Sequence, residues 1–105
     1  MEQKVVNVVN RFKILLSEKI TTKEIVVFGS RAREDNTENS DLDILVVVEI
    51  AGHSVEKVIS DAAWEAGFPD DILIVPVVIT LDQLRDSPVR ESSFIKNVYR
   101  EGILV

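Results

Sequence analysis

Apolar positions recur along this chain at two different periods, and the changes of period divide it into elements. Val5, Val8, Val9, Phe12, Leu15 and Leu16 fall three and four residues apart, which predicts an amphipathic helix over residues 3–19. Residues 24–28 form a short β-branched and aromatic run, expected as a first strand. Ser30 has the side chain of an N-cap for a short helix starting at Arg31, and the polar, turn-rich stretch 34–40 reads as a loop. A second strand is expected over 42–49, where apolarity is continuous rather than alternating, as in strands covered on both faces. After a turn at Gly52 and Ser54, Val55, Val58, Ile59, Ala62 and Ala66 mark one side of a helix that Gly67 and Pro69 should end. A third strand is expected over 72–79, and Pro76, which cannot donate to a ladder, assigns it to an edge or a bulge. Thr80 and Gln83 suit a capping box on a short helical turn. Ser87 and Pro88 should open a last helix, closed by Gly102.

The order α-β-α-β-α-β-α predicts an α+β domain with α/β character, a small mixed sheet flanked by helices. The connection between the first two strands is short, which favours antiparallel neighbours. The helix after the second strand is long enough to return the chain in parallel. The end of strand one and the starts of strands two and three then meet at one end of the sheet.

At 105 residues, the expectation is a single domain over residues 1–105. Hydrophobic content of 46% and charged content of 29% are those of an ordinary globular chain. No apolar run reaches the roughly 18 residues of a membrane span. The opening Met-Glu-Gln-Lys is unlike a signal peptide, so no membrane association is expected. The lack of cysteine rules out disulfide and thiol chemistry and fits a cytoplasmic protein. The net charge of −6, from 12 basic and 18 acidic residues, disfavours a stable nucleic-acid complex, which needs a basic face. Self-association is left open.

The chemistry concentrates in residues 28–46. Gly29 lets the backbone approach a ligand, and Ser30 brings a hydroxyl to a helix start, where anions such as phosphate bind. Asp41 and Asp43 are two apart on a strand, so their carboxylates share a face, while Leu42 and Ile44 enter the core. Two like charges so close call for a hard divalent cation, Mg²⁺ above all. A phosphate cradle beside metal carboxylates points to phosphoryl or nucleotidyl transfer. The alternation Asp35, Thr37, Asn39, Asp41, Asp43 is not a calcium loop, because Ser40 stands at the required glycine and Val46 at the closing glutamate.

With Gly29, Ser30, Asp41 and Asp43 in the pattern G-S-x(10)-D-x-D, flanked by R-A-R and S-D-L-D-I-L-V, the chain resembles the polymerase β-like nucleotidyltransferases. Its length and the closing R-E-G at residues 100–102 are similar to the minimal members, the MNT domains. The resemblance implies transfer of a nucleoside monophosphate, usually AMP from ATP with Mg²⁺, onto a hydroxyl, with release of pyrophosphate. It also implies a small helical HEPN partner, a toxic ribonuclease neutralised by adenylylation of a tyrosine. Carried over, Gly29 and Ser30 hold the triphosphate with Arg31 touching phosphate, and Asp41 and Asp43 bind Mg²⁺. The family glycine after R-A-R is Glu34 here. The family places a third carboxylate on strand three, which has no internal acid in this chain. Asp71, beside Asp70 at the strand's start, is the expected third catalytic acid, whereas alignment from R-E-G puts Leu73 or Val75 there. The alternative is a binding module of the same fold that neutralises or scaffolds its partner by contact. His53 reads as a loop residue and Trp64 as packing at an interface or core margin.

Overall fold

The continuous apolar run at the middle of the chain becomes the interior of a sheet. The computed structural model describes residues 1–105 as strands β1 (Thr22–Phe28), β2 (Leu42–Val48), β3 (Ile74–Thr80) and β4 (Ile103–Leu104), and helices α1 (Gln3–Ser17), α2 (Ser30–Arg33), α3 (His53–Gly67), α4 (Leu81–Asp86) and α5 (Ser93–Glu101). The sheet order is β3-β2-β1-β4. β1 runs antiparallel to β2 and β4, and β2 runs parallel to β3 through the α3 crossover. This is the α+β, mixed-sheet architecture expected from the pattern. No helix is long and apolar enough to cross a membrane.

β2 is covered on both faces. Leu42, Ile44, Val46 and Val48 join the larger core with Val8, Phe12 and Leu16 of α1 and Ile59 of α3. Leu45 and Val47 turn the other way, into a smaller core with Val26, Ile79 and, from α5, Ile95 and Val98. Each such buried aliphatic side chain contributes about 1.5–3 kcal/mol relative to exposure, so β2 is the best-anchored strand. β3 is an edge strand, where the missing N–H of Pro76 is tolerated.

Several boundaries differ from expectation, with β1 starting at Thr22 and β3 at Ile74 among them. Ser30 is the first residue of α2 and Gly29 its flanking residue, with no side-chain cap. The Thr80–Gln83 capping box forms as expected. Ser87 and Pro88, however, open only a 3-10 turn over Pro88–Glu91, and α5 starts afresh with Ser92 accepting from the Ile95 N–H at 3.2 Å. Residues 103–104 add a short fourth strand that no periodicity announces, since two residues are too few to show one.

Candidate active site

The site is built where β1 stops and β2 starts. Phe28 pairs with Asp43 across the antiparallel ladder, so Gly29 follows immediately beside that carboxylate. Gly29 adopts φ 77°, ψ −161°, a conformation almost confined to glycine. A Cβ there would stand 2.4 Å from Asp43 Oδ2, so the site also needs the missing side chain. The Gly29 carbonyl accepts from the N–H groups of Ala32 and Arg33, both at 3.1 Å, which starts the single helical turn of α2. The Ser30 hydroxyl is not used as a cap and stands half-exposed at the mouth of the turn.

Asp41 is exposed just before β2, and Asp43, its second residue, is half-buried. Alternation puts Asp43 on the same sheet face as Leu45 and Val47, at the end that the smaller core leaves open. Burial raises the Asp43 pKa, and the Asp41 charge raises it further, while Arg33 works in the opposite direction. The pair is therefore under-compensated. Two oxygen donors of this kind fit Mg²⁺, which commonly takes one or two carboxylates and completes its shell with substrate phosphates and water.

The two arginines have different tasks. Arg31 is buried at 3% exposure. Its Nε donates to the Ser40 carbonyl at 3.1 Å and its Nη2 to the Glu38 carbonyl at 3.2 Å, so it anchors the 34–40 loop from inside. The expectation that Arg31 touches phosphate is corrected accordingly, because the side chain is turned inward, with Nε and Nη2 on loop carbonyls and Nη1 4.0 Å from the Glu2 carboxylate. Arg33 is exposed, ion-paired with Asp35 at 3.0 Å and Glu101 at 3.2 Å, and it is the cation whose field reaches Asp43. Helical geometry held the signal: residues two apart point about 200° apart, so only one of the pair could face the carboxylates.

The structure does not bring Asp71 to Asp41 and Asp43: no three His, Cys, Asp or Glu side chains are placed to hold a metal together. Asp70 is ion-paired with Arg11 of α1, which also donates to the Ala66 carbonyl at 3.0 Å. Asp71 takes a left-handed φ of 53° after a 3-10 turn over Phe68–Asp70. That turn delays β3 until Ile74, and the parallel register sets Val75, not an acid, opposite Asp43. The Leu42 N–H donates to the Leu73 carbonyl at 2.8 Å, so Leu73 is the other apolar neighbour of the pair.

Residues 9–105 match the family of nucleotidyltransferase domains. Among curated proteins, the chain is similar to candidate protein adenylyltransferases of Methanocaldococcus jannaschii. One is 31% identical over 80 residues, covering 76% of this chain and 74% of that protein. Another is 48% identical over 40 residues, which is 38% of this chain. With three of these relatives the match spans only 41% or 40% of their length. Among solved structures, a chain of a toxin–antitoxin complex with AMP-PNP superposes with a TM-score of 0.62 at 21% identity, covering 90% of this chain and 69% of that one. A chain of the complex between the tri-AMPylated HEPN toxin of Shewanella oneidensis and its MNT antitoxin gives 0.55 at 17% identity, covering 97% and 71%. At those identities the likeness is one of fold.

Proposed function

This chain belongs to the nucleotidyltransferase domain family, and from that we propose that it transfers AMP from ATP to a hydroxyl of a partner protein, a tyrosine of a helical HEPN toxin, and so acts as an antitoxin. One observation carries the reading: the Gly29 backbone lies directly against the Asp43 carboxylate, which joins a phosphate cradle to a metal pair. Gly29 and Ser30 hold the triphosphate, Asp41 and Asp43 hold Mg²⁺, and Arg33 adds positive charge at the same mouth. Bound Mg²⁺ would neutralise charge developing on the phosphates and on the attacking oxygen. The acceptor hydroxyl gives its proton to solvent and its oxygen bonds to the α-phosphorus, the bond from that phosphorus to the α–β bridging oxygen breaks, and pyrophosphate leaves with that oxygen. The adenylyltransferase relatives and the AMP-PNP and AMPylated toxin–antitoxin complexes support this choice of nucleotide and partner.

Incubating the protein with labelled ATP, Mg²⁺ and the helical protein encoded beside it should label that partner. Replacing Asp41→Asn together with Asp43→Asn should cut labelling at least about a hundredfold, since loss of even an outer-shell group costs 10–100-fold. Labelling that persists in the double variant rules out this site. Val75 opposite Asp43 supports a second reading, a module that neutralises its partner by contact alone. That reading requires neutralisation to survive Asp41→Asn with Asp43→Asn.

A further inference from the structure

The sheet face that carries Asp43 also carries an aromatic pair that the smaller core leaves partly open. Phe28 stands directly opposite Asp43 in the antiparallel register, so the two side chains share that face with Cβ atoms about 5 Å apart. The Phe94 ring of α5 meets the half-buried Phe28 ring edge to face, with centroids 5.6 Å apart and planes at 84°, and is itself 46% exposed. Helix geometry aims Phe94 at the site. Phe94 and Glu101 are seven residues apart on α5 and so lie on one side of it. Glu101 accepts from Arg33 at 3.2 Å, and Arg33 is the cation whose charge reaches Asp43. Tyr99 lies about 140° round the helix from Phe94 and donates to Glu24, towards the other end of β1. We propose that Phe94, backed by Phe28, is the stacking platform for the base of the bound nucleoside triphosphate, an inference that rests on the reading of Gly29 and Ser30 as its phosphate cradle.

Connectivity selects a base over other occupants. Phe28 is covalently joined to Gly29, so the ring pair adjoins the residues that hold the triphosphate. A base hangs from the α-phosphate by a single ribose, and a triphosphate seated in the cradle holds it next to this wall. The acceptor hydroxyl must reach the α-phosphorus from the side opposite the departing pyrophosphate, away from the cradle and the rings beside it. On this side of α5 the other exposed residues, Asn97 and Glu101, are polar, whereas a protein interface buries about 1,200–2,000 Å² around an apolar centre. One half-exposed ring is too little for a partner or a second copy. It is enough for a base, because every base presents a π-face to stack.

Calorimetry with a non-hydrolysable ATP analogue and, separately, with inorganic tripolyphosphate, both with Mg²⁺, tests the platform without any transfer. Phe94→Ala should weaken binding of the analogue about tenfold, the scale of one stacked base, and leave that of tripolyphosphate within about twofold. Phe94→Tyr, which keeps the ring, should bind the analogue with close to wild-type affinity. Circular dichroism should show Phe94→Ala folded, since its ring is half exposed. Equal loss of both ligands, which a damaged cradle would give, overturns the platform, and so does a wild type that does not bind the analogue. Analogue binding unchanged in Phe94→Ala while labelling of the partner persists overturns the platform and leaves the transferase reading intact. Analogue binding that needs the ring, without labelling by the wild type, keeps the platform and removes the transferase reading. A raised KM for the acceptor, with nucleotide affinity unchanged, assigns the ring to the acceptor and overturns the proposal.

Discussion

Gly29 and Asp43 form one unit, and each constrains the other. Gly29→Ala meets both the glycine-only backbone and the Asp43 Oδ2 atom, so it should lower stability by about 1–3 kcal/mol in urea titration. It should also lose Mg²⁺–ATP binding. Asp43 has the opposite stability sign from an ion-paired aspartate. Its pKa is raised in the folded state, so its contribution is complete below the unfolded value and is lost as pH rises through the folded one. At neutral pH the ionised carboxylate opposes folding. Asp43→Asn should therefore raise the melting midpoint of the metal-free protein at pH 7, and the gain should vanish towards pH 3. A midpoint that falls at pH 7 would contradict this account. Tyr99, on α5, is also shifted upward, by burial and then by its hydrogen bond to Glu24 of β1, so its phenol stays protonated across the physiological range.

At the scale of elements, the Arg31 guanidinium explains how a polar loop is held to a set course. It supplies hydrogen bonds to the Glu38 and Ser40 carbonyls, and Ser40 precedes Asp41. Arg31→Met should cost about 3–6 kcal/mol in chemical denaturation, because the two hydrogen bonds to a charged group are each worth about 1.5–3 kcal/mol and the carbonyls lose their donors. It should also loosen Asp41, visible as faster amide exchange over residues 38–41. Glu34, at φ 64°, closes α2 in the left-handed conformation that glycine adopts without strain. Glu34→Gly should therefore leave the fold intact and change stability by no more than about 1 kcal/mol, read as a small shift in the urea midpoint. Gly102, which ends α5, is needed for space: a Cβ would stand 2.3 Å from the Val98 carbonyl oxygen and 2.5 Å from Val26 Cγ1. Its closeness lets the chain turn directly into β4 along β1.

For the whole molecule, the sheet carries Asp43 on its best-buried strand, with Asp41 just before it, and leaves the third strand position apolar. Val75→Asp would set a third carboxylate beside Asp43, with side chains on the same face of adjacent strands about 5 Å apart. It should tighten Mn²⁺ binding in the absence of nucleotide, measured by calorimetry, and lower the stability of the metal-free form through added repulsion. In the unaltered chain, Mg²⁺ with a non-hydrolysable ATP analogue at a hundred times its dissociation constant should stabilise folding by about 2.7 kcal/mol. The midpoint should rise by several degrees, and not at all with Asp41→Asn and Asp43→Asn combined.

Local rules in the sequence decided much of this protein. The helical spacing of Val5 to Leu16 and the unbroken apolarity of residues 42–48 follow from what each element must bury, so α1 and the doubly covered β2 were legible. So were the pairing of β1 with β2, the parallel return to β3, the edge position of Pro76 and the capping box at Thr80, all set by chain length and backbone chemistry. The Gly-Ser and Asp-x-Asp pattern pointed to the family for the same reason, since the chemistry constrains residue type and spacing together. Tertiary structure decided what depends on partners distant in the chain. It turned Arg31 inward and left Arg33 beside Asp43, added β4 against β1, and paired Asp70 with Arg11. It also turned the chain at Asp71, so that the register brought Val75 to Asp43. No local pattern encodes a register, because it is fixed by how whole strands and the turns between them fit over a shared core.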